Sequence, residues 1–145
     1  MATVQIIVGS VLGASEYVAE ALAEKLEALG HKPVLHLEPD FDSIEQADYW
    51  LICSSTHGAG DLPDNIQSFA KQLSAISLHN LPYCVVSLGD SSYDTFCQGG
   101  EQLHLLMREA DAKPLAEPLN IDVLQHPIPE DYAVEWLIKN SDLFV

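Results

Sequence analysis

Glycines, hydroxyl side chains and ring side chains follow two apolar runs of the sequence. The first stretch is residues 54–65 (SSTHGAGDLPDN), and the second is residues 88–97 (LGDSSYDTFC). Glycine lets a backbone approach a ligand closely, and a ring can stack on a flat ligand. The two stretches therefore predict a binding site for one flat ligand.

A third loop, residues 9–16 (GSVLGASE), lies between the first apolar run and a helical pattern. It has no G-x-G-x-x-G, and none of the six basic residues falls in it, which disfavours a dinucleotide and a nucleoside triphosphate. The N–H groups at a helix start can bind one phosphate, and Ser10 and Ser15 add hydroxyls. The alternative is that Ser15 only caps the helix. With the other two loops, this loop predicts a flat, phosphorylated ligand.

Apolar runs alternate with helical periodicity along the whole chain. We predict strands at 3–8, 33–37, 48–54, 82–88 and 114–121, and helices from about 15 to Gly30 and at 63–73, 96–110 and 129–143, as five βα units. Strands this apolar favour a doubly wound α/β fold, with a five-stranded parallel sheet in the order 2-1-3-4-5 and helices on both faces. The three loops then share the carboxyl edge of the sheet, where such folds bind ligands.

Composition limits the class of protein. The 145 residues, 48% hydrophobic, suffice for one domain spanning 1–145, and no run approaches the roughly 20 apolar residues of a membrane span. With no signal-like start and three cysteines that form no C-x-x-C, we expect a cytoplasmic protein with reduced thiols. A net charge of −16 disfavours nucleic acid and membrane surfaces and favours a basic protein partner. The alternative is that acidity only maintains solubility.

Other site chemistries lack their signatures. The six histidines form no H-E-x-x-H and no Cys/His ligand spacing, so we predict no metal. The sequence has no G-x-S-x-G, the signature of a serine hydrolase. It also disfavours a phosphorylated receiver domain, which would need acidic residues at the positions of Gly9, Ser10 and Ser54.

The loops at 55–65 and 88–97 resemble, in residue type and spacing, the FMN loops of short-chain flavodoxins and of the FMN domains of diflavin reductases. The resemblance covers nearly all of the chain. The first loop departs from it, because Ser10-Val11-Leu12-Gly13-Ala14-Ser15 stands where many flavodoxins have hydroxyl-x-Thr-Gly-Asn-Thr. We therefore expect noncovalent FMN binding that is weaker than in typical flavodoxins.

The resemblance also implies roles for single residues. Tyr93 would stack on one face of the flavin and His57 would cover the other, although His57 replaces the Tyr or Trp often found there and could be only an exposed loop residue. Gly58 matches the position at which flavodoxin loops turn a carbonyl towards the reduced flavin, and Cys97 would pack beneath the site without redox chemistry. The predicted cofactor-binding residues are Ser10, Leu12, Gly13, Ala14, Ser15, Ser55, Thr56, His57, Gly58, Gly60, Leu88, Gly89, Asp90, Tyr93, Phe96 and Cys97.

The function implied by the resemblance is a monomeric one-electron carrier between a basic-surfaced flavoprotein reductase and an acceptor enzyme. Stand-alone members of the family suggest an acceptor in biotin synthesis. Asp61, Asp64, Asp90 and Asp94 would lower the flavin potential and attract basic partners, or would only cap helices. A two-electron quinone reductase and a non-catalytic FMN-binding module remain alternatives.

Overall fold

The computed structural model describes residues 2–11, 13–46, 48–57 and 60–144. The strands are β1 (Thr3–Gly9), β2 (Lys32–His36), β3 (Tyr49–Ser55), β4 (Pro82–Gly89), β5 (Lys113–Pro114) and β6 (Leu119–Asp122). The helices are α1 (Ala14–Ala28), α2 (Asp64–Leu73), α3 (Gln98–Glu109) and α4 (Pro129–Lys139). No helix in this part of the chain has the length and apolar character needed to cross a membrane.

All strand pairs are parallel, and the sheet has the order β2-β1-β3-β4-β5, with β6 also paired to β4. This order confirms the predicted 2-1-3-4-5 sheet. Because β1, β3 and β4 are central, their side chains need cover on both faces, which explains why these strands are apolar throughout.

Successive residues of β1 point into two separate cores. Ile6 packs in the core beneath α1 and α4, where Val18 and Leu137 are fully buried. Ile7 packs in the other core, with side chains from α2 and α3 such as Ile66 and Leu103. The alternation follows the two-residue period of a strand and confirms helices on both faces.

The predicted fifth strand at 114–121 is wrong as a continuous element. β5 pairs with the start of β4, the Leu115 N–H donates to Tyr83 O, and the ladder resumes only where Leu119 lies beside Val86. Pro118 has no N–H to donate, so the chain leaves the ladder before it and returns after it. β5 and β6 therefore share one edge position.

The predicted count of five βα units is also wrong, because β2 and β3 are joined by a single 3-10 turn, Phe41–Ser43. Pro39 precedes this turn, and the Asp40 side chain accepts a hydrogen bond from the Asp42 N–H at 3.3 Å. Such local bonds compete with helix formation.

Helix α1 ends at Ala28, and Gly30 follows it in the predicted left-handed conformation, with a φ of 93°. The Gly30 N–H donates to Glu27 O, and the His31 N–H donates to Leu26 O. This pair of bonds is the common glycine ending of a helix.

Candidate cofactor-binding site

Strands β1, β3 and β4 end level with one another at the carboxyl edge of the sheet. Gly9 lies beside Ser54, and Ser55 lies beside Leu88. The loops that follow these strands are called here the first loop (residues 10–13), the second loop (56–61) and the third loop (90–96). The strand register therefore brings the three predicted loops to one edge.

A cleft of about 210 Å³ lies between the second and third loops. It is lined by Thr56, Gly89, Asp90, Tyr93, Thr95, Phe96 and Cys97. All but Thr95 belong to the predicted set. Tyr93 is 62% exposed, so its ring is free to stack on a flat ligand.

The first loop presents the start of α1. Gly13 is the residue before the helix, with a φ of 90°, and no side chain caps the helix there. The Gly13 N–H donates to Ser10 Oγ at 2.9 Å. The first N–H groups of any helix have no partner within it, so this end of α1 can bind an anion.

Ser15 faces inward instead of towards the first loop. It is fully buried, and its hydroxyl donates to Gly9 O at 2.5 Å. Its carbonyl oxygen accepts a hydrogen bond from Cys53 Sγ at 3.4 Å. The Ser15 hydroxyl therefore holds the loop from beneath, and its backbone N–H is the group left for a ligand. The alternative in which Ser15 caps α1 is not observed, because Gly13 has that position.

Asn65, in the first turn of α2, holds the first loop from the other side and was missed as a site residue. Its Nδ2 donates to Val8 O at 2.8 Å and to Leu37 O at 2.9 Å, and its Oδ1 accepts from the Ser10 N–H at 2.9 Å. One amide therefore joins the ends of two strands to the loop. An Asn in the first turn of a predicted helix was the available signal in the sequence.

The second loop is closed by its own backbone. The His57 N–H donates to Asp61 O at 2.7 Å, and the Asp61 N–H donates to His57 O at 2.8 Å. Gly60, buried and with a φ of 97°, makes the return turn, and the His57 side chain is exposed. The predicted residues Gly58 and Leu12 lie outside the described residues.

Gly99 and Gly100 let α3 begin against the ends of β3 and β4, and sequence reasoning missed both. A Cβ on Gly99 would lie 2.8 Å from Ser55 O, and one on Gly100 would overlap the Ser87 side chain. The Gly99 N–H donates to Thr56 Oγ1 at 3.0 Å. The close approach fixes the second loop at the strand ends. Two adjacent glycines in a helical pattern were the signal.

Cys97 is buried and lines the cleft. Its Sγ lies 3.6 Å from Ser87 O, and burial raises the pKa of its thiol. A Cβ on Gly89 would lie 2.7 Å from Cys97 N, so glycine is required there for the loop to close. The remaining predicted residues occupy the same edge: Ala14 begins α1, Ser55 ends β3, and Leu88 is buried near the end of β4.

The residues around the cleft are neutral or acidic. Asp90 and Asp61 belong to the third and second loops, and no Lys or Arg lines the cleft among the residues described. An anion at this edge must therefore be held by N–H and hydroxyl donors, as at the start of α1. A planar ring beside Tyr93 with a phosphate at α1, the arrangement of FMN, fits these groups.

The chain is similar to known proteins in sequence. The family model for flavodoxin matches residues 6–136. Protein MioC of Escherichia coli K12 is 42% identical over 139 residues, which are 94% of this chain and 95% of that protein. Flavodoxin YqcA of the same strain is 40% identical over 141 residues, covering 94% and 95% of the two chains.

A solved structure gives the same result. A cysteine-to-alanine variant of flavodoxin from Pseudomonas aeruginosa superposes with a TM-score of 0.87 at 35% identity, over 98% of each chain. The chain therefore belongs to the flavodoxin family, whose members bind FMN and carry electrons.

Proposed function

We propose that this protein carries single electrons between a flavoprotein reductase and an acceptor enzyme, with FMN bound at the three loops. The observation that supports this most directly is the cleft beside the exposed Tyr93 ring, at the same sheet edge as the start of α1. The cleft suits a planar ring, and the helix start suits a phosphate.

The phosphate would be held by the first loop. The N–H groups of Ala14 and Ser15 lie in the first turn of α1, and Ser10 Oγ, which accepts from the Gly13 N–H, still has its own proton to donate. Because the Ser15 hydroxyl is used by Gly9, the loop offers fewer side-chain donors than a loop in which every hydroxyl faces the ligand. This agrees with the expected weaker binding of FMN.

The flavin ring would lie between the second and third loops. Tyr93 would stack on one face and His57, at the exposed end of the second loop, would cover the other. Gly89 and Asp90 would line the ring edge, while Phe96 and Cys97 would form the floor of the cleft. Gly58, which belongs to the second loop in the sequence, would turn its carbonyl towards the reduced flavin.

FMN supplies the one-electron chemistry when bound, and the chain orients it and adjusts its potential. Asp90 lines the cleft, Asp61 and Asp94 belong to the second and third loops, and no Lys or Arg from the described residues lines it. Negative charge nearby disfavours the addition of a further electron to the ring. We therefore expect a low potential for full reduction, which suits an electron donor.

The same carboxylates would attract a reductase and an acceptor whose docking surfaces are rich in Lys and Arg. The net charge of −16 extends this attraction over the whole protein. Association should slow as salt is added, because screening shortens the range of the attraction. An acceptor in biotin synthesis and a monomeric, cytoplasmic protein stay predictions.

An anaerobic reductive titration of the FMN-loaded protein tests the proposal. Visible spectra recorded at each step should resolve two separate one-electron reductions, with free FMN titrated as the control. A single two-electron step would favour the quinone reductase instead. Failure to bind FMN would favour an interaction module.

A further inference from the structure

Asp122, the last residue of β6, lies beside Gly89 in the sheet, at the point where the third loop begins. Its side chain is only 7% exposed. Its Oδ1 accepts hydrogen bonds from the Ser91 N–H at 3.2 Å and from the Leu124 N–H at 3.0 Å. One carboxylate oxygen therefore joins the third loop to the chain that follows β6.

The third loop has few other attachments. Asp90 accepts from the Ser92 and Tyr93 N–H groups, and the Phe96 N–H donates to Tyr93 O, so these bonds lie within the loop. Among the hydrogen bonds of the described residues, only those from Ser91 to Asp122 connect residues 90–96 with a segment outside 90–98. The position of the loop relative to the sheet thus depends on Asp122.

The chemistry of Asp122 suits this task. Hydrogen bonds from the Ser91 hydroxyl, and then from the Leu124 and Ser91 N–H groups, hold the pKa of its carboxyl below the ordinary value. An ionised carboxylate is a stronger acceptor than a neutral group, and leaving either N–H without a partner would be costly.

We propose that Asp122 is a positioning residue for the cofactor, because its carboxylate holds the third loop in the shape that presents Tyr93 to the flavin. The inference rests on the proposed function, since it takes the third loop to be part of the FMN site. Asp122 itself is assigned no contact with FMN.

The test compares FMN affinity in two pairs of variants. Asp122→Ala removes the acceptor for the Ser91 and Leu124 groups, and Asp122→Asn keeps one side-chain oxygen in place. Asp48 provides the matched control, because its Oδ2 accepts from the Thr3 N–H at 2.8 Å at the opposite edge of the sheet. Asp48→Ala therefore removes a similar contact far from the loops, and Asp48→Asn keeps one side-chain oxygen there.

FMN is added to each apoprotein, and the quenching of its fluorescence gives the dissociation constant. We expect that constant to rise about tenfold or more in Asp122→Ala, to stay within about threefold in Asp122→Asn, and to be unchanged in both Asp48 variants. Rescue by Asn separates loop positioning from a general loss of stability.

Ser91→Pro removes the donor from the loop side and leaves Asp122 in place. Ser91 follows Asp90 in a turn closed by the Tyr93 N–H, a position at which proline is favoured. This variant should fold even if Asp122→Ala does not, and should weaken FMN binding to a similar extent.

Amide exchange in the apoprotein gives a readout that needs no cofactor. The Ser91 and Leu124 amide protons should exchange faster in Asp122→Ala than in Asp122→Asn. The inference is overturned if the wild type binds FMN and both Asp122→Ala and Ser91→Pro bind it equally well. If the wild type does not bind FMN, the proposed function fails, and unchanged exchange at Ser91 would separately refute the role of Asp122.

Discussion

Gln102 of α3 donates from Nε2 to the carbonyl oxygen of Gly60 at 2.5 Å. The two residues are 42 positions apart in the chain, and the bond joins the second turn of α3 to the second loop. Because Gly60 makes the turn that brings the loop back to Asp61, this contact holds the loop at that turn.

Replacing Gln102 with Ala should loosen the second loop. Loss of one hydrogen bond is worth about 1 kcal/mol, so we expect FMN affinity to fall about fivefold. Gln72→Ala is the control, because Gln72 accepts from the Phe41 N–H, away from the loops. Equal affinities of the two variants in a fluorescence titration would contradict the role of Gln102.

Asn65→Ala should destabilise the protein and the phosphate site together. Three hydrogen bonds are removed, and we expect the free energy of unfolding in urea to fall by about 2–3 kcal/mol. FMN binding should suffer more than binding of riboflavin, which has no phosphate. Asn140→Ala, which removes a bond to Trp136 O at the end of α4, should lower stability without changing the ratio of the two affinities. An unchanged ratio in Asn65→Ala would refute its link to the phosphate.

Two glycines with nearly the same φ provide a matched comparison. Gly13 has a φ of 90° at the start of α1, and Gly30 has a φ of 93° at its end, where a Cβ would meet nothing within 4 Å. Alanine at either position should cost about 1 kcal/mol of stability, measured by urea unfolding. Only Gly13→Ala should also weaken FMN binding, because it distorts the first loop, where the phosphate would bind. Similar FMN affinities in the two variants would argue against that site.

Tyr93 should matter for the cofactor and little for the fold. Its ring is mostly exposed, so Tyr93→Ala should change the free energy of unfolding of the apoprotein by less than about 0.5 kcal/mol. FMN affinity should fall about tenfold, while Tyr93→Phe, which keeps the ring, should bind almost as wild type. A Tyr93→Ala protein with wild-type affinity would mean that the flavin lies elsewhere.

His36 should make stability depend on pH. Burial lowers the pKa of this imidazole, whose Nε2 lies 2.6 Å from Gln5 Oε1. Since the unfolded chain keeps the ordinary pKa of 6.5, it binds more protons than the folded chain as the pH falls below that value. The stabilisation is present above 6.5 and is lost as the pH falls from there towards the lower, folded pKa.

His36→Asn removes this titration. Between about pH 8 and about pH 5.5, wild type should therefore lose more free energy of unfolding than His36→Asn, because both proteins share every other titrating group. Parallel pH profiles for the two proteins would contradict the assignment to His36.

The alternation of strands and helices was predictable, because it depends on local patterns. Apolar runs, the glycines that follow them and the ending at Gly30 are each visible within a few residues. Asn65 and Asp122 act on backbone groups 55 and 31 positions away, a separation that no local pattern reveals. The inward turn of Ser15 likewise depends on Gly9 and Cys53, which the fold brings beside it.

All three cysteines, Cys53, Cys84 and Cys97, are buried and free of disulfides. Burial raises the pKa of the Cys53 and Cys84 thiols to about 12 and also raises that of Cys97. Oxidants attack the thiolate form, which these residues hardly populate near neutral pH. The thiols of this protein are thereby protected from oxidative damage, and its working lifetime in air should be limited by other parts of the molecule.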